Sequence, residues 1–345
     1  MRTIGWGMIG CGDVTEVKSG PGFQKAEHSR LVAVMRRNRE LARDYARRHG
    51  VPRWYDAADA LLADPDVEAV YIATPPYAHR DYTLMAAAAG KPVYVEKPMA
   101  MRSADCQTMI AACRDAGVPL FVAYYRRTLP RFLKVKEIID SGLIGQPRVV
   151  TVALYRPHSA SASGAPDWRV DPAVAGGGLF VDMGCHTLDF LDYALGPIRT
   201  AHGLAANREK LYSAEDTITA AFEFESGVQG TGLWWFASPI SLDRTEILGT
   251  RPISLDRTEI LGTRGRVAFA TFENAPVVLE AAGERSEFAI PHPPHVQQPL
   301  IQTVVDHLNG VGTCPSTGDS AARTTRVMDQ ILASYYGAIS VERFP

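Results

Sequence analysis

A carboxylate and an imidazole, Asp182 and His186, stand four residues apart in the segment GGGLFVDMGCHTLD at 176–189. If this segment is helical, positions i and i+4 lie on one face of the helix. A carboxylate one turn from a histidine raises the pKa of the imidazole and orients the ring, which suits proton transfer. The three glycines at 176–178 allow the backbone to lie close to a ligand. The segment therefore indicates acid–base catalysis.

The same residue types also occur in metal sites. Asp-x-x-x-His and His-x-x-Asp are both patterns that can bind a metal ion, and Asp189 completes the second of them. No third ligand follows at a matching spacing. We therefore expect no metal ion and assign Asp182 and His186 to proton transfer.

A lysine follows an apolar run in YVEKP at 94–98. If the run is a central strand of a dinucleotide-binding sheet, Lys97 lies beside the nicotinamide. There it can donate a hydrogen bond to the reacting oxygen and stabilise developing negative charge. Pro98 can fix a tight turn, with a cis bond, that aims this side chain. The alternative is a solvent-facing Lys–Pro turn.

The glycine-rich segment GMIGCGDVT at 7–15 follows a short apolar run. Gly10 permits the tight turn from strand to helix, and Gly12 lets the backbone approach a pyrophosphate at the helix N-terminus. Thr15 stands where this fingerprint usually has Gly or Ala, so an ordinary glycine turn is the alternative. The strand before the turn and the helices after it favour a nucleotide site. We assign the cofactor contacts of this turn to Gly10, Gly12, Asp13 and Val14.

Two arginines, Arg36 and Arg37, end the second apolar run. An NAD-preferring fold usually has Asp or Glu there to bind the ribose 2′-hydroxyl group. A guanidinium instead favours a 2′-phosphate through paired hydrogen bonds. We therefore expect NADP(H) as the preferred cofactor, with NAD(H) remaining possible. The alternative is a plain pair of surface arginines.

A further polar segment, YIATPPYAH at 71–79, follows the run that predicts the next strand of the same sheet. Ligands bind outside the carboxyl ends of such strands, which favours Thr74 and Pro75 as cofactor neighbours. His79 has two interpretations of equal weight, a contact with the substrate and a histidine that caps or packs the following helix.

The first 125 residues alternate between short apolar runs and helical patterns that end at glycine. Asn38 can cap a helix that ends at Gly50, and Ser103 can cap a later one. This alternation predicts a parallel sheet with helices on both faces. The apolar runs that predict strands lie at 4–9, 31–35, 69–73, 92–95 and 120–123.

Strand-like runs separated by short turns dominate residues 148–290, which predicts one large, mostly antiparallel open sheet. We therefore predict an α/β protein of two domains. A doubly wound Rossmann domain would occupy residues 1–125, and an α+β domain for substrate binding and oligomerisation would occupy 126–345. The helical patterns of the second part lie at 131–141, 182–194, 296–308 and 319–336.

The composition excludes several classes of partner. A formal net charge of −2 gives no overall attraction to nucleic acid or to an anionic membrane, and no apolar run has membrane-spanning length. The five cysteines have no metal-site spacing, and the first residues lack the pattern of a signal peptide. We expect reduced thiols, a cytoplasmic location and a small molecule as the substrate.

The chain contains an exact internal repeat. PISLDRTEILGTR occupies residues 239–251 and again 252–264. Functional repeats drift and have longer periods, so this identity indicates a recent duplication or a fault in the sequence. Either copy could fill one strand of the sheet. The other copy could then form an edge strand, with residues 249–252 as the turn, or leave the sheet as a loop.

Together these segments resemble the glucose–fructose oxidoreductase / inositol dehydrogenase / MocA family over nearly the whole chain. The most specific motifs are EKP at 96–98 and GGG-x-x-x-D-x-G-x-H at 176–186. The resemblance implies a Rossmann domain, followed by a domain whose open sheet often builds a dimer or a tetramer. It also implies that Lys97, Asp182 and His186 form the catalytic trio.

The resemblance extends to the surrounding positions. It implies cofactor contacts for Thr74, Pro75, His79, Glu96 and Lys97, and substrate contacts for Tyr124, Arg127, Trp168 and Arg169. This sequence departs from the family pattern at Thr15, at Arg36, which replaces a common acidic residue, and at the duplication. These departures put in doubt the packing of the first helix, the use of NAD, and the local strand register with the subunit interface.

The expected reaction is reversible hydride transfer between a carbinol carbon and nicotinamide C4. A sugar, a polyol or a related cyclic alcohol is the expected substrate class. Polar and aromatic residues near 155–169 agree with that class, namely Tyr155, Arg156, His158, Ser159, Ser161 and Trp168. Two alternatives remain open, a glycosidase that retains its nicotinamide cofactor and a nicotinamide-binding sensor without catalysis.

Overall fold

A computed structural model describes residues 1–157, 167–237 and 255–339. The chain divides into two compact units, Met1–Leu129 with Pro293–Thr325, and Pro130–His292 with Arg326–Pro345. The sequence-based division at residue 125 assigns residues 293–325 to the second domain, whereas the structure packs them in the first unit. Ser316 Oγ donates to the Val122 carbonyl oxygen at 2.7 Å, which ties this returning segment to the first sheet.

The first unit contains a six-stranded sheet in the order β3-β2-β1-β4-β5-β6, with every neighbouring pair parallel. All six residues of the central strand β1 are buried, because helices cover both faces of such a sheet. The doubly wound domain predicted from the sequence is therefore confirmed. Its strands are β1 (Ile4–Ile9), β2 (Ser29–Met35), β3 (Arg53–Tyr55), β4 (Ala69–Ile72), β5 (Val93–Val95) and β6 (Leu120–Val122).

The ends of one helix in the first unit follow the local signals of the sequence. Asn38 accepts a hydrogen bond from the Leu41 amide, and Gly50 ends that helix in the left-handed conformation. Ser103, predicted as a cap, is the first residue of its helix, and Arg102 stands at the N-cap position before it. The helices are α1 (Asp13–Val17), α2 (Gly20–Lys25), α3 (Arg39–His49), α4 (Ala58–Leu62), α5 (His79–Ala88), α6 (Ser103–Asp115) and α10 (Gln298–Leu308).

The second unit contains an eight-stranded sheet in the order β14-β13-β12-β11-β7-β10-β9-β8. Only the β7–β10 pair in this described sheet is parallel, so the prediction of a mostly antiparallel sheet is confirmed. Its strands are β7 (Pro147–Tyr155), β8 (Ile198–Ala206), β9 (Thr217–Phe224), β10 (Gln229–Trp235), β11 (Leu255–Gly262), β12 (Gly265–Phe269), β13 (Val277–Ala281) and β14 (Glu284–Phe288).

One face of this sheet forms the core of the unit. Phe132, Phe190 and Phe269 meet edge to face there, with ring centroids 4.8–6.0 Å apart. On β10, a Cβ at Gly230 would stand 2.0 Å from the Phe222 ring, so only glycine lets that ring lie flat on the strand. The remaining helices are α7 (Pro130–Asp140), α8 (Pro172–Ala175), α9 (Cys185–Leu195) and α11 (Gly318–Ile339).

The helix predicted from Asp182 begins two residues earlier and in a different form. A π-helical turn, Phe180–Gly184, runs directly into α9. Asp182 therefore lies in the π-helical turn and His186 in the first turn of α9, and their sharing of one helix face stays a prediction. Single π turns are frequent at functional sites.

The duplicated segment contributes strand β11 to the sheet. Residues 255–262 of the second copy form this strand, which lies between β7 and β12. The first copy and the predicted turn at 249–252 lie outside the described residues. The second copy is thus sufficient to complete the sheet.

Deletion of residues 239–251 is therefore expected to give a folded protein that still binds its cofactor. Because the copies are identical, deletion of either one gives the same amino-acid sequence. Thermal unfolding should shift by no more than a few degrees, since long insertions between strands change stability only slightly. Deletion of both copies removes β11 and should abolish soluble expression. Loss of soluble protein in the single deletion would contradict this prediction.

Candidate active site

The glycine turn after β1 is closely packed against the turn after β4. Gly10 has φ +92°, and a Cβ on it would stand 2.8 Å from Thr74 Cγ2 and 2.9 Å from the Thr74 amide nitrogen. Gly12 differs, because no described atom lies within 4 Å of the point where its Cβ would stand. One glycine thus allows two turns to meet, and the other leaves backbone exposed for a ligand. These residues fit a dinucleotide phosphate.

Thr15 fits the third fingerprint position by folding its hydroxyl group back onto the turn. Its Oγ1 donates to the Gly12 carbonyl oxygen at 2.7 Å, and the residue is fully buried. Tyr45 Oη donates to the Thr15 carbonyl oxygen at 2.9 Å. Asp13 and Val14 form the start of the short helix α1, whose N-cap residue offers no side-chain acceptor. Threonine at this position is therefore compatible with the packing of the first helix.

Of the two arginines after β2, one contacts this turn. Arg36 Nη1 donates to the Cys11 carbonyl oxygen at 3.1 Å, whereas Arg37 Nη2 donates to Tyr77 Oη at 3.2 Å. Arg37 and Tyr77 are exposed, and Arg36 is half-buried. Burial raises the pKa of the Cys11 thiol to about 11, so this cysteine stays protonated. One cationic group thus lies at the glycine turn, and a second lies at Tyr77 in the segment after β4.

His79 is fully buried and connects two loops beneath the same edge of the sheet. Its Nε2 lies 2.7 Å from the Thr74 carbonyl oxygen, and its Nδ1 lies 3.0 Å from that of Pro98. Burial lowers the pKa of this histidine, so a neutral ring donates one N–H to one of these carbonyls. Pro75 precedes the turn that leads to His79. The geometry agrees with a packing histidine that positions both loops.

Glu96 lies in a buried hydrogen-bond network. Its Oε1 accepts from Tyr71 Oη and Gln297 Nε2, each at 2.6 Å, and its Oε2 accepts from the Lys97 amide at 3.1 Å. Tyr94 Oη donates to Gln297 Oε1 at 3.2 Å. Buried and fully engaged carboxylates fix their surroundings. Glu96 therefore holds the backbone of Lys97 in place. Gln297 also belongs to this network, and no motif in the sequence indicated its role.

Lys97, Tyr124 and Arg127 all belong to the first unit. Lys97 is half-buried, and its bond to Pro98 is cis, as the sequence suggested. Tyr124 and Arg127 are buried, and Arg127 Nη1 donates to the Pro315 carbonyl oxygen at 2.9 Å. This hydrogen bond connects the segment after β6 with the returning chain.

Asp182 and His186 belong to the second unit and differ in exposure. The Asp182 side chain keeps 21% of its surface exposed, whereas His186 keeps 4%. Arg169 Nε lies 3.8 Å from Asp182 Oδ2. The His186 ring meets the Phe272 ring edge to face at 5.9 Å. Phe272 is a neighbour that sequence reasoning missed, because it lies 86 positions further along the chain.

Gly178, shortly before Asp182, packs closely against the segment that carries Glu215. A Cβ on Gly178 would stand 2.7 Å from the Glu215 carbonyl oxygen. The buried Glu215 carboxylate accepts from the Gly178 amide at 2.9 Å and from Tyr336 Oη. Packing is thus one reason for glycine at position 178, and the approach of residues 176–178 to a ligand stays a prediction. The contact with Glu215 sets where the turn that carries Asp182 begins.

Trp168 and Arg169 form a short 3-10 turn held by Asp167. Asp167 Oδ1 accepts from the Arg169 amide at 3.1 Å and from Arg169 Nη1 at 3.3 Å. The Arg169 guanidinium also lies over the Trp168 ring at 4.6 Å. The structure thus places the predicted substrate residues Trp168 and Arg169 in one unit with Asp182 and His186, and Tyr124 and Arg127 in the other.

The described residues lack two features, a cluster of metal ligands and a membrane-spanning helix. Residues 1–157, 167–237 and 255–339 contain no group of three or more His, Cys, Asp or Glu side chains arranged for a metal ion. None of the helices in these ranges is both long and apolar enough to cross a membrane.

The parallel sheet with its glycine turn, joined to a unit that carries an Asp–His pair, defines a dinucleotide-binding oxidoreductase. Residues 4–124 match the family model described as an oxidoreductase family with an NAD-binding Rossmann fold, and residues 132–268 match the GFO/IDH/MocA C-terminal domain. The chain belongs to the glucose–fructose oxidoreductase / inositol dehydrogenase / MocA family. The resemblance found in the sequence is thereby confirmed.

Individual relatives extend this result over almost the whole chain. "Oxidoreductase P35" of Formosa agariphila is 36% identical over 94% of this chain and 97% of its own. The trans-1,2-dihydrobenzene-1,2-diol dehydrogenase of Sus scrofa is 28% identical over 90% of this chain and 84% of its own. Among solved structures, the aldose-aldose oxidoreductase of Caulobacter crescentus, complexed with glycerol, has a TM-score of 0.84 and 25% identity over 98% of both chains.

Proposed function

We propose that this protein transfers a hydride reversibly between a nicotinamide cofactor and a hydroxyl-bearing carbon of a sugar, a polyol or a related cyclic alcohol. The observation that carries the proposal is His186, buried against Phe272 in the unit that also carries Asp182. A histidine with restricted access to water suits proton transfer to a bound alcohol. The names of the diol dehydrogenase and the aldose oxidoreductase among the relatives support this substrate class.

Each residue of the proposed trio has a separate task. His186 takes the hydroxyl proton during oxidation and returns it during reduction. Asp182 supplies the charge that orients and favours the protonated imidazole. Lys97 donates a hydrogen bond to the reacting oxygen, and the Glu96 network holds its backbone. The bound cofactor supplies the hydride acceptor or donor.

The direct test is a panel of sugars, polyols and cyclic diols with NAD⁺ and NADP⁺, followed at 340 nm. The proposal expects net reduction of the cofactor with at least one member. Release of tightly bound nicotinamide from denatured protein, together with glycoside cleavage and no net reduction, would support the retained-cofactor glycosidase instead. Cofactor binding with neither activity would support the sensor.

NADP(H) is the preferred cofactor in this proposal, because Arg36 contacts the glycine turn and Arg37 directly follows Arg36 at the end of β2. The double variant Arg36→Asp/Arg37→Ala is expected to raise the Kd for NADPH by about 10–100-fold, the effect of losing charge-assisted hydrogen bonds to a phosphate. The Kd for NADH should change much less. Fluorescence titration with both cofactors measures this difference.

A matched control separates the site from overall charge. Arg30→Asp/Arg43→Ala makes the same change in charge at two exposed positions of the same unit. This control should bind NADPH like the wild type. Equal affinity of the wild type for NADPH and NADH would refute the preference. The five cysteines are all buried and form no disulfide bond, which supports the expectation of a reducing, cytoplasmic location.

We also propose that two copies associate through the outer face of the eight-stranded sheet. Val149 and Leu261 are register neighbours on this face and are both exposed, as is Leu204 on β8. A face of eight strands offers about 800 Å² to a partner, the size of a standard interface. A dimer or a pair of dimers would cover these side chains.

Val149→Asp/Leu204→Asp is expected to shift the protein towards the monomer, because each carboxylate would be buried without a partner. Light scattering coupled to size exclusion measures the mass. Leu211→Asp, at an exposed position outside the strands, is the control and should leave the mass unchanged. A wild-type protein that is monomeric at micromolar concentration would refute the proposal.

A further inference from the structure

Phe272 contacts both a cation and the proposed catalytic histidine. The Arg156 guanidinium lies over its ring at 5.9 Å, and the His186 ring meets it edge to face at 5.9 Å. Arg156 directly follows β7, where its amide donates to the Trp235 carbonyl oxygen at 2.8 Å. The three side chains thus form one cluster within the second unit.

Two charged side chains hold the loop that carries Phe272. The Asp256 carboxylate accepts hydrogen bonds from the backbone amides of residues 271–273, two of them at 2.8 Å. The buried Arg131 guanidinium donates to the carbonyl oxygens of Glu273 and Ala275. A loop held by two charged groups keeps its aromatic ring in one place. Phe272 is therefore a rigid support for the guanidinium.

Arg156 and Arg169 differ in whether a carboxylate compensates the charge of the guanidinium. Arg169 lies 3.3 Å from Asp167 and 3.8 Å from Asp182, so two carboxylates already compensate its charge. Within the described ranges, no carboxylate lies within 4 Å of Arg156. Asp256, on the neighbouring strand, is occupied by three backbone amides. Arg156 thus has a cationic group available for a ligand.

We propose that Arg156 binds a carboxylate of the substrate, so that the substrate is an acidic sugar, such as a hexuronate or an aldonate. This proposal rests on the proposed dehydrogenase function. A guanidinium binds a carboxylate through two parallel hydrogen bonds of about 2.8 Å. Because the Arg156 guanidinium and the His186 ring each lie 5.9 Å from the centre of the Phe272 ring, at most about 12 Å separates them. A hexuronate can span this distance with one such contact at its acid end and one hydrogen bond at a hydroxyl group.

The carboxylate itself does not react in this arrangement. The carbinol carbon loses a hydride to the nicotinamide cofactor, the hydroxyl proton passes to His186, and a carbonyl group forms. The acid group only positions the sugar, and the expected effect of losing Arg156 is therefore a higher KM rather than a lower kcat.

The test compares compounds that differ only in the acid group. The pairs are D-glucuronate with D-glucose, D-galacturonate with D-galactose, D-mannuronate with D-mannose, and D-gluconate with D-glucitol. In the wild type, the acidic member of at least one pair should have a kcat/KM at least 10-fold above its neutral partner. Arg156→Met should lower this kcat/KM by about 30–100-fold, mainly through KM, and leave neutral members within about 3-fold.

Two further variants keep the result specific. Arg156→Lys retains the charge without the paired geometry and should fall between the wild type and Arg156→Met. Arg148→Met removes an exposed arginine from the other end of β7 and should behave like the wild type. Titration with NADPH shows that each variant still binds its cofactor.

The outcomes separate this inference from the function on which it rests. Neutral members turned over as well as acidic ones, or an equal loss for both in Arg156→Met, would overturn the carboxylate assignment and leave the dehydrogenase intact. No hydride transfer to or from any of the eight compounds, or their oxidised forms, would contradict the dehydrogenase proposal together with the inference.

Discussion

Replacing His186 with asparagine is expected to lower kcat for alcohol oxidation by about 10²–10⁴-fold, because positioned acid–base groups contribute an effect of this size. Asparagine keeps a polar side chain of similar reach but cannot take up the hydroxyl proton. His186 is 4% exposed and its ring lies against Phe272, so a water molecule has little room to replace it. Single-turnover kinetics with saturating cofactor measure the chemical step directly.

The matched control is His202→Asn, an exposed histidine on β8 of the same unit. It should retain wild-type kcat and KM. NADPH affinity should stay unchanged in both variants, because the residues proposed to contact the cofactor belong to the first unit. A His186→Asn protein with kcat within 5-fold of the wild type would rule out this histidine as the acid–base group.

Glu215→Ala is expected to lower the free energy of unfolding by about 4 kcal/mol. The substitution leaves two buried donors, the Gly178 amide and Tyr336 Oη, without the carboxylate that accepts from them. Each such loss costs about 1–3 kcal/mol, and the missing side chain leaves a cavity. A loss of this size lowers Tm by about 10 °C in a unit of this length. Thermal unfolding followed by circular dichroism checks it.

Two controls distinguish the buried network from a general effect of lost charge. Glu223→Ala removes a more exposed carboxylate that pairs with Arg199 on the outer face, and should change stability by about 0.5 kcal/mol or less. Glu215→Gln keeps an acceptor for the Gly178 amide and should lose much less than the alanine variant. If Glu215→Ala melts within 2 °C of the wild type, this network contributes little to stability.

Local patterns predicted the first unit well, because each signal acts within a few residues. The apolar runs became buried parallel strands, Asn38 and Gly50 ended a helix as expected, and Gly10 adopted the positive φ that its turn requires. Strands with weak patterns were missed. Ile198–Ala206 carries glycine, alanine, histidine and arginine, and it is a strand because β9 pairs with it.

The sequence by itself determined the fold class, the glycine turn and the family, since these depend on short motifs and on periodicity. Only the tertiary structure decided which side chains contact the proposed site residues. Glu96 meets Gln297 from 201 positions away, and His186 meets Phe272 on a loop held by Asp256. The sequence also could not show which of the two repeat copies forms a strand of the sheet. Identical residues have identical propensities, and only pairing with β7 and β12 shows that 255–262 form the strand.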